Sequence, residues 1–149
     1  LVKISTLKMN QNIDLLTIIS LNEICKLTEQ LNSNLDKAVQ LKRQTKMFEF
    51  ENYRCFGFYN EEKLIGVMSG WITVRLYSGK QIEIDNVVID ESLHGKGYGK
   101  SFINLVQEWA QDNGCVSMEL NTYIENSKSH KFYFNEGYRI MGLHMQKDI

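Results

Sequence analysis

The segment that most constrains this chain runs from Gln81 to Phe102: Gln-Ile-Glu-Ile-Asp-Asn-Val-Val-Ile-Asp-Glu-Ser-Leu-His-Gly-Lys-Gly-Tyr-Gly-Lys-Ser-Phe. Residues 81–89 are rich in Ile and Val with acidic residues interleaved, residues 95–99 carry Gly at every second position, and an amphipathic segment follows at once. The order reads as a strand, a glycine turn and a helix. Glycines let a backbone approach an anion closely, and the helix behind them offers unpaired N–H groups and the positive end of its dipole. A phosphate cradle is therefore the first expectation, with Gly95, Gly97 and Gly99 as the residues that permit it.

The remainder of the chain reads as the frame for this cradle. Residues 2–9 alternate well enough for a first strand, and Asn12 can cap a helix that begins near Ile13 and runs to about Leu31. Ile13, Leu16, Ile19, Ile24, Leu27 and Leu31 mark its buried face. Asn32-Ser-Asn34 breaks it, and a more polar helix follows over about 35–47, with Leu35, Val39 and Met47 as a thin apolar stripe. Residues 53–59, 63–76 and 81–89 read as three strands joined by turns at Asn60-Glu61-Glu62 and Ser78-Gly79, an antiparallel meander. After the glycine turn, Phe102, Ile103, Val106, Trp109 and Ala110 line one face of a helix ended by Asn113-Gly114. Val116, Met118 and Leu120 alternate as the next strand, and a strand, helix, strand order of this length requires a crossover. Residues 115–121 are thus expected to lie parallel to 81–89. Asn126 can cap a last helix to about Glu136, Gly137 can end it, and residues 138–147 supply one or two closing strands.

Bulk properties exclude several classes. A chain of 149 residues suits one compact domain spanning 1–149. Its net charge of −1, with Lys and Arg scattered, gives no electrostatic reason for a nucleic-acid or membrane partner. Cys25, Cys55 and Cys115 are odd in number and lack CxxC spacing, so neither a disulfide framework nor a metal site is expected. The first ten residues have no signal-like apolar core, and no run reaches the ~18 residues of a membrane span. A cytoplasmic location is the expectation.

Three phosphate-binding turns compare with residues 94–99. A dinucleotide fingerprint needs G-x-G-x-x-G in a mostly parallel sheet; here the third Gly comes one position early and the preceding strands form a meander. A P-loop needs G-x-x-x-x-G-K-[ST]; Gly99-Lys100-Ser101 matches its end, but His94 stands where the first Gly belongs. His94-Gly-Lys-Gly-Tyr-Gly99 instead resembles the Q/R-x-x-G-x-G/A pyrophosphate loop of the GNAT superfamily of acyl-CoA-dependent N-acetyltransferases, with His94 replacing the usual Gln or Arg. Asn126-Ser-Lys-Ser-His-Lys-Phe-Tyr-Phe-Asn-Glu-Gly-Tyr138 resembles the second motif of that family, N-x-x-A-x-x-F-Y-x-x-x-G-F, with Ser129 for Ala and Tyr138 for Phe. The resemblance implies an α+β fold: a central mixed, largely antiparallel sheet of about six or seven strands, splayed between 81–89 and 115–121 and flanked by about four helices.

It also implies a chemistry. Acetyl-CoA would be the co-substrate and an amine the acceptor, in a monomer or homodimer. The pyrophosphate would lie on the backbone of His94, Gly95, Lys96, Gly97, Tyr98 and Gly99, with Lys96 and Lys100 adding charge. Val87, Val88 and Ile89 would pair with the pantetheine arm as an added strand does. The Val88 N–H would polarise the thioester carbonyl. Glu83 and Asp85, two apart on one strand and so on one face, are candidates for the base that takes the amine proton. Tyr133 matches the motif tyrosine that protonates the leaving thiolate, and Asn126 would both cap its helix and contact CoA. His94, His130 and His144 have no nameable dyad partner and read as bystanders to proton transfer. A module of the same fold that binds acyl-CoA without turnover is the competing class.

Overall fold

The computed structural model describes residues 10–149, so the strand expected over 2–9 lies outside the described residues. In chain order the elements are β1 (Gln11–Leu15), a 3-10 turn (Ile18–Ser20), α1 (Leu21–Thr28), α2 (Lys37–Met47), β2 (Tyr53–Asn60), β3 (Lys63–Arg75) and β4 (Gly79–Ile89). A second 3-10 turn (Glu91–Leu93), α3 (Tyr98–Asp112), β5 (Ser117–Leu120) and α4 (Ser127–Asn135) complete them. Among the described residues five strands form one sheet in the order β1-β2-β3-β4-β5, a mixed α+β architecture in which fewer strands are described than the six or seven expected. Strands β1 to β4 pair antiparallel, and the starts of β4 and β5 meet where the Val116 N–H donates to the Lys80 carbonyl at 2.8 Å. A crossover through α3 produces that juxtaposition.

By internal contacts the chain divides into two compact units, Leu1–Glu119 and Leu120–Ile149. In the first, register fixes which side chains share a face. Cys55 pairs with Ser69 and Ser69 with Asp85, while Tyr53 pairs with Trp71 and Trp71 with Glu83. This face also holds a core of Leu16, Ile24, Leu27, Tyr53, Cys55, Val67 and Val88, into which α1 packs. The opposite face meets α3: Phe58 stacks on Phe102 with centroids 4.8 Å apart, and Phe56 meets Trp109 edge-on at 4.9 Å. Removing the fully buried Phe102 side chain would cost about 3–5 kcal/mol.

Three local expectations give way. Over residues 13–19 the helical spacing is overridden, while Ile24 and Leu27 are buried on a helix as expected. Residues 11–15 pair with β2 instead, from Gln11 opposite Asn60 to Leu15 opposite Phe56, and the helix starts only at Leu21. Ile19, expected on its buried face, is 91% exposed. In α2 the buried residues are Gln40 and Gln44, while Val39 faces solvent. Thr28 makes this possible: its Oγ1 accepts from Gln40 Nε2 at 2.6 Å and Gln44 Nε2 at 2.5 Å and donates to the Ile24 carbonyl at 2.9 Å. Residues 138–149 form no strand, although they alternate. Alternation supplies two faces, but a strand also needs a partner for its backbone. Among the described residues, no helix is long and apolar enough to cross a membrane.

Candidate active site

The glycine turn is held from both sides. The Asp90 N–H donates to the Ile65 carbonyl at 2.8 Å, and the Asp90 carboxylate accepts from the Ser92 N–H at 3.0 Å and the Ser92 hydroxyl at 2.7 Å. Those bonds hold its carboxyl below the usual carboxylate range. A His94 ring nitrogen lies 2.9 Å from the Ile89 carbonyl, which ties the turn back to the end of β4. This gives His94 a loop-fastening contact where the family motif has Gln or Arg.

Gly95 and Gly97 adopt φ of 77° and 83°, a left-handed conformation that L side chains strain to reach. A Cβ at either would meet nothing within 4 Å, so their requirement is conformational rather than steric. Gly99 sits inside the first turn of α3 and is not among the glycines with positive φ, so the expected three-glycine device reduces to two. Gly97 is the N-cap of α3 and provides no side-chain cap. The first bond of the helix runs from the Ser101 N–H to the Gly97 carbonyl at 3.2 Å. The amides of Tyr98, Gly99 and Lys100 precede it and have no partner within the helix. Tyr98 itself is buried with its ring 6.2 Å from Phe58, whereas Lys96 and Lys100 are exposed.

Upstream, β4 carries a bulge that alternation alone does not reveal. Val67 pairs with Val88 and Ser69 with Asp85, so one residue, Met68, faces two, Asn86 and Val87. Asn86 takes φ of 48°, which Asn tolerates better than most residues. Ser69 pins the distortion: its hydroxyl donates to the Asp85 carbonyl at 3.1 Å and accepts from Asn86 Nδ2 at 3.1 Å. The Asn86 N–H closes on Asp85 Oδ1 at 2.9 Å. The extra residue shifts the parity of the strand, placing Val88 on the face of Asp85 and leaving Val87 and Ile89 half-buried on the other. Ser69 and Asn86 were missed by sequence reasoning; the one available signal was an Asp-Asn pair inside an alternating strand.

Glu83 and Asp85 do share a face, on adjacent pairs with Trp71 and Ser69. Glu83 Oε2 lies 3.8 Å from Arg75 Nη2, and Asp85 is exposed. On the same face, across Trp71 and Ser69 from them, burial raises the Tyr53 phenol above its ordinary value and pushes the Cys55 thiol up to about 12. Neither is an acid or base near neutral pH.

The second unit contains Asn126 and Tyr133. Asn126 caps α4, its Oδ1 accepting the Ser129 N–H at 3.1 Å. A His130 ring nitrogen lies 2.9 Å from the Tyr123 carbonyl. Tyr133 meets Phe132 and Tyr138 edge-on at 5.1 and 5.3 Å, and burial raises its phenol pKa. It therefore stays protonated at neutral pH. Tyr138 is pushed up to about 12, first by burial and then by Tyr133 and Glu136. Among the described residues no group of three or more His, Cys, Asp or Glu could hold a metal ion.

Comparison with known proteins places this geometry. The profile of the acetyltransferase (GNAT) family matches residues 21–138. An uncharacterized N-acetyltransferase, YhdJ, of Bacillus subtilis is 23% identical over 121 residues, covering 80% of this chain and 85% of that protein. The aminoalkylphosphonate N-acetyltransferase of Salmonella typhimurium is 28% identical over 78 residues, 52% of this chain and 51% of its own length. Among solved structures, a possible acetyltransferase from Clostridium difficile 630 superposes with a TM-score of 0.81 at 18% identity, covering 93% of this chain and 97% of its own. The aminoglycoside acetyltransferase AAC(6')-Iy, in complex with a CoA-S-monomethyl-acetylneamine bisubstrate analog, gives 0.77 at 18% identity with 94% and 99% covered. At such identities the likeness speaks for the fold, and the family profile speaks for the activity. A two-glycine turn on an uncapped helix, behind a bulged strand and within that profile, means that the chain belongs to the GNAT family as a GNAT-type N-acetyltransferase.

Proposed function

We propose that the two units act as one catalytic domain that transfers an acetyl group from acetyl-CoA to a primary amine by direct attack in a ternary complex. The observation that carries this reading is the start of α3, where left-handed Gly97 leaves the amides of Tyr98, Gly99 and Lys100 without helical partners. Three convergent donors at a positive dipole end suit a pyrophosphate. Gly95 shapes the approach, and Lys96 and Lys100 add screened surface charge. His94 contributes main chain and fastens the loop. Along the bulged end of β4, the backbone of Val87, Val88 and Ile89 pairs with the pantetheine, and the Val88 N–H stabilises negative charge as it develops on the thioester oxygen.

The amine must attack uncharged. With a pKa near ~10 only about one part in a thousand is neutral at pH 7. Glu83, with Asp85 beside it on the same face, takes the amine proton directly or through a water. The nitrogen then bonds to the acyl carbon as the carbon–sulfur bond breaks, and Tyr133 donates its phenol proton to the departing thiolate. Burial raises the Tyr133 phenol, so it carries its proton at neutral pH when the reaction begins. Asn126 orders the start of α4, on which Tyr133 sits.

Replacing Tyr133 by Phe tests the mechanism. Transfer is expected to fall about a hundredfold while acetyl-CoA affinity, measured by calorimetry, is nearly kept. Unchanged turnover would remove Tyr133 from the reaction. Acetyl-CoA binding with no CoA-thiol release across a broad amine panel would favour the non-catalytic acyl-CoA module.

A further inference from the structure

The face that carries Glu83 and Asp85 is bordered by aromatic rings. Trp71 is the direct cross-strand partner of Glu83 and Tyr53 the partner of Trp71, so indole and carboxylate stand side by side on the sheet. The indole is clamped: its centroid lies 4.9 Å from Tyr53 and 5.7 Å from Phe50, the latter edge-on at 74°. Phe50 is 50% exposed, in the loop after α2. That loop is fastened to β3 where the Ile72 N–H donates to the Asn52 carbonyl at 2.8 Å and Asn52 Nδ2 donates to the Ile72 carbonyl at 3.2 Å. An exposed ring held this firmly presents apolar area at little entropic cost on binding.

The charges nearby select the sign of a partner. Arg54 Nη1 donates to the Glu51 and Tyr53 carbonyls at 2.7 Å each, and Arg75 Nη2 lies 3.8 Å from Glu83 Oε2, so Glu83 already faces one cation and Asp85 leaves the patch a net negative charge. Asp85 is exposed and the Glu83 side chain 31% so. A carboxylate beside an aromatic face suits an ammonium, which gains from both. A polyhydroxylated polycation would need carboxylates where the rings stand.

We infer that the acceptor is a primary amine carried on an aromatic or similarly flat apolar body, which lies against Trp71 and Phe50 while its ammonium meets Glu83 and Asp85. This rests on the reading of Glu83 as the residue that receives the amine proton. The test measures CoA-thiol release from acetyl-CoA with phenethylamine, tryptamine, spermidine and neamine at equal concentration. The two aryl amines are expected to show kcat/KM about tenfold or more above the polycations, and Phe50→Ala to raise KM for phenethylamine about fivefold with KM for acetyl-CoA unchanged. Trp71→Leu should raise it further and Trp71→Phe restore most of the loss. Equal or better turnover of spermidine or neamine, or an unmoved KM in Phe50→Ala, overturns the substrate class while acetyl transfer stands. Acetyl-CoA binding without thiol release from any of the four amines overturns both.

Discussion

Helices α3 and α4 start in opposite ways. At α4 the Asn126 side chain turns back to accept the Ser129 N–H, and at α2 the Asp36 carboxylate does the same for Ala38 and Val39. At α3 the cap is Gly97, which has no side chain to turn back. The first arrangement spends its donors on the fold, and the second keeps them for an anion. Sites built from main chain should therefore fail when the backbone or its donors are claimed, and side-chain caps should fail by simple deletion.

The largest effect should come from giving α3 the kind of cap its neighbours have. Gly97→Asp tolerates positive φ better than most residues and sets a carboxylate over the free amides. Acetyl-CoA affinity is expected to fall about a hundredfold by calorimetry, with the circular dichroism spectrum kept. Undiminished affinity would show that the start of α3 is not the anion site.

A smaller loss is expected at the bulge, where a side chain supports a main-chain device. Asn86→Ala removes both tolerance of φ at 48° and the bond to Ser69, and should lower kcat about tenfold. Asn86→Gly keeps the conformation and should recover part of that loss. Equal activity in all three proteins would detach the bulge from transfer. The smallest effect belongs to the ordinary cap: Asn126→Ala should lower unfolding stability by about 1 kcal/mol, and Asn126→Asp should return it. If acetyl-CoA affinity fell in the Asp variant despite restored stability, Asn126 would join the cofactor contacts.

The same contrast explains what could be read in advance. Turns at Asn60-Glu61-Glu62 and Ser78-Gly79, the stripe from Phe102 to Ala110 and the caps at Asn126 and Gly114 are local signals, and each element they mark is present. Residues 13–19 misled because Ile13, Leu16 and Ile19 keep helical spacing, yet β2 offered residues 11–15 a ladder of backbone bonds that spacing cannot register. The polar seam of Thr28, Gln40 and Gln44 was invisible for a similar reason. Each residue alone reads as exposed, and only their mutual bonds make burial tolerable.

At the candidate site, the sequence by itself determined the strand, the glycine turn, the helix behind it and the two motifs, because a left-handed turn and a helix start are decided within a few residues. Only the tertiary structure decided that Ser69 holds a bulge at Asn86 and that Trp71 stands beside Glu83. Those facts depend on the register between strands, and register is set by which residues the whole sheet can bury together.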